Sequence, residues 1–204
     1  KARMLLEMDV TLTSGNASVL FGARDASNVF MWSVNTLDNE KEPLIRRHIY
    51  DRGRLQSSDT PIGKFFTKSD LLNKEHHLAI EAKDGVVKTY IDKVLVDTYT
   101  DTDSKLSNGY IGFRAFRGNN TNETAMFDNI VLTEYEQKGD KEEAKVVLKE
   151  DFEKPQSAFE GGEIVSVGGN RKLNMVSGSG DYRVLQVDMS GVPMFRKEFK
   201  AKKK

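Results

Sequence analysis

The chain contains no cysteine. Disulfides, thiolate zinc sites and cysteine nucleophiles are therefore excluded. Its charge is balanced, with 31 Lys+Arg against 31 Asp+Glu, so no net field draws it to nucleic acid or to an acidic membrane surface. The short run Lys202, Lys203, Lys204 does not change that balance. No apolar run approaches the roughly 18–20 residues needed to span a bilayer. The opening KARMLLEMDV is basic and then apolar, but Glu7 and Asp9 interrupt it, and it reads as a strand rather than a signal peptide. Histidines number three, and neither H-x-H nor H-E-x-x-H occurs. His76 and His77 are adjacent, so on a strand they face opposite sides and make a poor chelate. No serine sits in a G-x-S-x-G context. GGEIVSVGG lacks the strand-then-helix setting of a dinucleotide site.

What is present is period-two alternation. In MLLEMDVTLTS, Leu6, Met8, Val10 and Leu12 alternate with Glu7, Asp9 and Thr11, as in a half-buried strand. SVLFGARD, VFMWSVNT and LIRRHIYD read as further strands, and residues 51–63 as a polar loop. LLNKEHH has room for one helical turn. HLAIEAK, Asp84-Gly85 and VVKTYID spell a hairpin with a type I′ turn, followed by Asp92-Lys93 and VLVDTYT. Asn108-Gly109 marks another tight turn before YIGFRAF, and AMFDNIVLTEY closes the block. About ten short strands at 8–12-residue spacing predict an all-β, antiparallel two-sheet sandwich. The expected organisation is a sandwich over 4–135, a charged linker over 136–147 and a β-rich segment over 148–204. That last segment either packs partly on the sandwich or starts a following β-domain.

One enzymatic pattern invites comparison. Glu7 and Asp9 match the first two carboxylates of the E-x-D-x-x-E strand of laminarinase-type glycanases, but the third position is Leu12. Without a proton donor the leaving group is not activated. No catalytic residue is therefore assigned, and the two carboxylates read as the solvent face of an edge strand.

A binding surface remains. Asp25, Asn28, Arg46, His48 and Arg114 carry the directional donors and acceptors that vicinal sugar hydroxyls require. Trp32, the single tryptophan, is either a platform for a sugar ring or, more commonly in sandwiches, part of the core. Loop oxygens at Asp38, Asn39, Asp101, Asp103, Asn119, Asn120 and Asn122 are of the kind that hold Ca²⁺, but without the spacing of a known calcium loop.

HHLAIEAKDGVVKTYIDKVLVDTYT, GYIGFRAF and AMFDNIVLT together resemble the concanavalin A-like lectin/glucanase superfamily, a jelly roll. LFGARDASNVFMWSVN and LIRRHI resemble lectin-like modules within bacterial α-L-rhamnosidases of glycoside hydrolase family 78, with Arg47 where that pattern has proline. VDMSGVPMFRKEFKAKKK is similar to the start of the N-terminal β-domain of the same enzymes, with Phe195, Lys197 and Phe199 on one strand face. The resemblance implies a non-catalytic accessory module of an exported (periplasmic, cell-surface or secreted) glycoside hydrolase. Its signal would lie outside these residues, and its partners would be a rhamnose-containing or other glycan and a downstream catalytic domain. It further implies Asp25, Asn28, Trp32, Arg46 and His48 as sugar contacts, with Ca²⁺ as a candidate cofactor.

Overall fold

The computed structural model describes residues 3–25, 27–37, 40–106, 109–115, 117–118, 121–155, 157, 159, 163–176, 181–187 and 193–200. The side chains of 117–118, 121–122, 176, 181–187 and 193–200 lie outside that description. The strands are β1 (Met4–Ser14), β2 (Asn16–Asp25), β3 (Asn28–Asn35), β4 (Leu44–Asp51), β5 (Arg54–Pro61), β6 (Glu75–Lys83), β7 (Val86–Ile91), β8 (Val94–Thr100) and β9 (Tyr110–Ala115). There follow the short β10 (Arg117–Gly118) and β11 (Thr121–Asn122), then β12 (Thr124–Lys138), β13 (Lys141–Glu150), β14 (Glu163–Val167), β15 (Asn170–Val176), β16 (Asp181–Val187) and β17 (Pro193–Lys200). One helical turn, α1 (Lys68–Leu71), sits before β6 and carries a capping box between Thr67 and Asp70.

Two sheets form. The first runs β14-β15-β12-β1-β6-β7-β8, with β13 also paired to β12. The second runs β17-β16-β9-β2-β3-β4-β5. All pairings between their strands are antiparallel, so the predicted two-sheet sandwich is the observed architecture.

Alternation builds the core. Met4, Leu6, Met8, Val10 and Leu12 of β1 point inward with Ile80, Val87, Phe127 and Leu132 of the first sheet. Val19, Phe21, Phe30, Trp32, Ile45, Ile49 and Phe113 meet them from the second. Phe113 and Phe127 lie with ring centroids 4.1 Å apart across the two sheets, and Phe159 packs on Phe113 at 5.2 Å. Such residues dominate the stability of a sandwich, since each fully buried large side chain contributes on the order of 1.5–3 kcal/mol.

Three expectations need correction. Residues 51–63 do not form a loop throughout: β5 occupies Arg54–Pro61 and pairs with β4 from Leu44↔Pro61 to Asp51↔Arg54. Its side chains are exposed along almost its whole length, so no buried face stamped a period on the sequence. The 136–147 stretch is not a linker but the end of the β12–β13 hairpin, closed by Gly139-Asp140 between Lys138 and Lys141. Exposed ion pairs tack this hairpin down: Arg3 to Asp84 and Glu142 at 2.7 and 2.8 Å, and Lys83 to Glu142 at 2.8 Å. Finally, Glu7 and Asp9 lie on no edge, because β1 runs between β12 and β6.

The C-terminal strands join both sheets. β15 pairs with β12 in the first, while β16 pairs with β9 in the second. β17 in turn pairs with β16, placing Phe195 opposite Gln186 and Phe199 opposite Tyr182. The expectation that Phe195, Lys197 and Phe199 share a side-chain face lies outside the described residues, as does Asn108 of the Asn108-Gly109 turn.

Candidate functional site

The second sheet has two chemically different faces. Phe30, Trp32 and Val34 of β3 enter the core, so Val29, Met31, Ser33 and Asn35 lie on the opposite side of the sheet, where they too are buried. By the same parity β2 presents Asn16, Ser18 and Leu20 outward, and β4 presents Arg46, His48 and Tyr50. Register then lines up one row across five strands: Arg114 of β9, Ser18, Ser33, Arg46 and Asp59 of β5. The next row holds Gly112, Leu20, Met31, His48 and Ser57. Adjacent strands are about 4.8 Å apart, so Arg114 and Arg46 stand roughly 14 Å from each other at the backbone, with the two serines between them.

Each group is held by its neighbours. Arg46 makes a bidentate pair with Asp59, Nε to Oδ1 at 2.9 Å and Nη2 to Oδ2 at 2.8 Å, and Nη2 also reaches Glu40 Oε1 at 2.9 Å. Donating to Asp59 raises the Arg46 pKa still further, and Arg46 in turn lowers that of Asp59. Among the described residues Nη1 of Arg46 donates to nothing, so one edge of the guanidinium stays open. Ser18 Oγ and Ser33 Oγ are 2.8 Å apart and buried. Arg114 donates from Nη1 to Met31 Sδ at 3.0 Å. His48 is pushed down to about 4, first by burial and then by the positive charges of Arg114 and Arg46. At neutral pH its imidazole is therefore uncharged and offers one donor and one acceptor. Its Nδ1 is buried and has no hydrogen-bond partner among the described residues.

Of the six sequence candidates, the fold brings together Arg46, His48 and Arg114. Trp32 is a correction: it is 2% exposed and faces the opposite side of the sheet, into the core. There its ring meets Phe21 at 4.9 Å and Tyr99 at 5.6 Å, edge to face. A sugar cannot stack on it in this fold. Asp25 and Asn28 are brought to each other but not to the Arg46 row. They lie at the β2–β3 turn, about 17 Å along the strands from Ser33 at about 3.4 Å per residue. Asp25 accepts from Ser27 N at 2.7 Å and Asn28 Nδ2 at 3.0 Å, and Asn28 Oδ1 accepts from Arg52 N at 3.1 Å. The Ser27 hydrogen bond is the main reason that the Asp25 pKa is lowered. These bonds tie two hairpin turns together, beside an open groove that also includes Asp51, Arg52 and Lys105.

Sequence reasoning missed Asp59, Ser18 and Ser33. Asp59 comes opposite Arg46 only once a hairpin is folded about Arg52-Gly53.

Among the described residues no group of three or more His, Asp or Glu side chains is arranged to hold a metal ion. Asp101 accepts from Leu106 N at 2.7 Å, and Asp103 pairs with Lys105 at 2.8 Å. Asp38, Asn39, Asn119, Asn120 and the side chain of Asn122 lie outside the described residues. On the outer face of the first sheet, His77 stands 3.3 Å from both Glu7 Oε1 and Asp9 Oδ1, and Asn129 donates to Asp9 at 2.8 Å. Leu12, the third position of the glycanase-like pattern, is buried on the other face of the sheet.

No protein-family model matches the chain, and no curated protein matches it. Among solved structures it is similar to the carbohydrate binding module CBM66 from Bacillus subtilis, with 25% identity and a TM-score of 0.37 over 50% of this chain and 60% of that one. It is also similar to the galectin LEC-6 of Caenorhabditis elegans, with 12% identity and a TM-score of 0.36 over 50% of this chain and 67% of that one. The chain thus matches three fifths of the length of the first of these.

Proposed function

We propose that this chain is a non-catalytic carbohydrate-binding module that holds a glycan on the outer face of its second sheet. The observation that carries this reading is that Arg46 and His48 of β4 and Asp59 of β5 form a polar, solvent-reaching group at one end of a row whose other members, Arg114, Ser18 and Ser33, are buried. The open edge of Arg46, the carboxylate of Asp59 and the neutral ring of His48 supply directional donors and acceptors without a large net charge. That is the chemistry of polyol recognition rather than of polyanion recognition.

The finer reading rests on the sequence resemblance. The module belongs to an exported bacterial glycoside hydrolase of the α-L-rhamnosidase type, and its glycan contains rhamnose. Tethering it to a catalytic domain makes the second encounter with the polymer effectively intramolecular, which raises local substrate concentration.

A glycan array with and without Ca²⁺, followed by calorimetry on the best hits, tests both levels. Binding that is lost in Arg46→Ala supports the module. Binding confined to rhamnose-containing glycans supports the finer reading. Retention of no glycan by a folded wild-type chain would leave a purely structural sandwich that braces its neighbour.

A further inference from the structure

Three turns at one end of the second sheet enclose an open, polar groove of about 560 Å³. Its walls are the β2–β3 turn, the β4–β5 turn and the loop that follows β8. Hydrogen bonds and ion pairs tie these walls together. Gly53 N donates to Ser27 O at 2.9 Å and Arg52 N to Asn28 Oδ1 at 3.1 Å, which docks the β4–β5 turn on the β2–β3 turn. Lys105 pairs with Asp103 at 2.8 Å and stands 3.8 Å from Asp51, which brings in the third wall.

These bonds consume acceptors and leave donors. Asp25 accepts from Ser27 N and, through both oxygens, from Asn28 Nδ2. Asp103 is taken by Lys105. Arg24 and Arg52 also line the groove, and both are exposed. Among the described residues neither guanidinium donates a hydrogen bond or forms an ion pair. The backbone adds a second, independent sign. The β4–β5 hairpin closes through Arg52-Gly53, with φ of 50° and 77°. The first position of such a turn favours Asn, Asp or Gly, yet an arginine stands there. Ser104, on the facing wall, has φ 53°. Left-handed backbone is costly for a residue with a side chain, and strain of this kind gathers where a ligand is held.

We propose that this groove binds an acidic sugar unit, a hexuronate, whose carboxylate is held by Arg24 and Arg52 and whose hydroxyls reach Asp51 and Ser104. The ligand class rests on the carbohydrate-binding reading, to which the groove adds a second and chemically different contact. A guanidinium fork matches a carboxylate with two parallel, charge-assisted bonds. A neutral sugar leaves both guanidiniums without an anion, and a bare anion leaves Asp51 without a hydroxyl donor. The volume suits about one or two sugar rings. The groove is roughly 17 Å along the strands from the Arg46 row, so different units of one chain occupy the two places.

Calorimetry of the full chain compares methyl glycosides of glucuronic, galacturonic and mannuronic acid with those of the matching neutral hexoses, and with acetate. At least one uronate is expected to bind about tenfold more tightly than its neutral counterpart and than acetate. That advantage should vanish in Arg24→Gln and in Arg52→Asn, shrink as salt rises, and survive Arg46→Ala. Arg52→Asn also suits the turn, so it should raise the urea midpoint while weakening uronate binding, a combination that misfolding does not produce. Equal binding of uronate and neutral hexose overturns the proposal, as does uronate binding unchanged in both groove variants. Acetate that binds as tightly as the uronate, and is lost in the same variants, would leave a simple anion site and overturn the sugar assignment. If neutral glycans bind through Arg46 and no uronate binds, the groove alone falls. If a uronate binds through Arg24 and Arg52 and no neutral glycan binds, the second-sheet face falls and the groove stands.

Discussion

Arg47 of β4 and Asp97 of β8 join the two sheets through the interior, Nη1 to Oδ1 at 3.1 Å. Thr60 Oγ1 donates to the same carboxylate oxygen at 2.6 Å, and the Arg47 guanidinium lies 5.4 Å over the Tyr99 ring. The Asp97 side chain is 1% exposed. Arg47 reaches across the sandwich from an unbroken strand.

Arg47→Ala leaves Asp97 buried without its counter-charge. The expected loss is about 3–5 kcal/mol in urea-monitored unfolding. A double variant, Arg47→Met with Asp97→Leu, removes both charges and is expected to recover most of that loss. Equal destabilisation by the single and double variants would show that packing, not charge, sets the cost.

Trp32 is the only tryptophan and sits among Phe21, Phe30 and Tyr99. Its Nε1 is buried and has no hydrogen-bond partner among the described residues. Trp32→Ala is expected to cost about 3–5 kcal/mol, and Trp32→Phe about half of that at most, since the smaller ring keeps most contacts and removes the unmet donor. Trp32→Phe should leave sugar affinity unchanged, and intrinsic fluorescence of the wild type should not respond to saturating glycan. A large spectral shift on glycan addition would contradict the core placement.

His48 gives stability a pH dependence with a definite sign. Its ordinary pKa of 6.5 applies to the unfolded chain, while in the fold it is pushed down to about 4. Between those values the unfolded state binds the proton and the folded state does not, so stability falls as pH drops from 6.5 through 4 and is level outside that window. Asp128 and Glu134, whose carboxyls are raised by burial, act in the opposite sense. The clean readout is therefore the difference between wild type and His48→Gln in urea midpoint across that range. The difference should shrink or reverse as pH falls. A constant offset would mean that His48 is not the group titrating.

The sandwich was legible wherever one strand face is buried. Met4 to Leu12 and Leu78 to Ala82 carry period two because water lies on one side only. β5 and the outer half of the β12–β13 hairpin were not legible, because side chains such as Ser57, Glu142 and Lys145 are exposed and no face is selected. The site was legible in part. Arg46 and His48 announce a shared face by spacing, and Arg114 needed only a strand assignment. Trp32 follows the same alternation, two residues from Phe30, and belongs with the core for that reason. Asp59 was not legible because only cross-strand register, on a strand with no buried face, sets it opposite Arg46.

Register also exposes a removable strain in the β7–β8 turn. Asp92 and Lys93 both have positive φ, 49° and 68°. Asp92 gains something by being there, since it accepts from His77 N at 2.9 Å and holds His76 Nδ1 at 2.6 Å. Lys93 makes no comparable side-chain bond among the described residues, and a left-handed conformation costs an L-residue roughly 1–2 kcal/mol. Glycine adopts that conformation freely but loses roughly 0.5–1 kcal/mol more chain entropy on folding. Lys93→Gly is therefore expected to stabilise the chain by about 0.5–1 kcal/mol, read as a higher urea midpoint at unchanged slope. Asp92→Gly relieves similar backbone strain but removes the bonds to His76 and His77, and should be neutral or destabilising. If both substitutions stabilise equally, the Asp92 side-chain bonds contribute nothing to the fold.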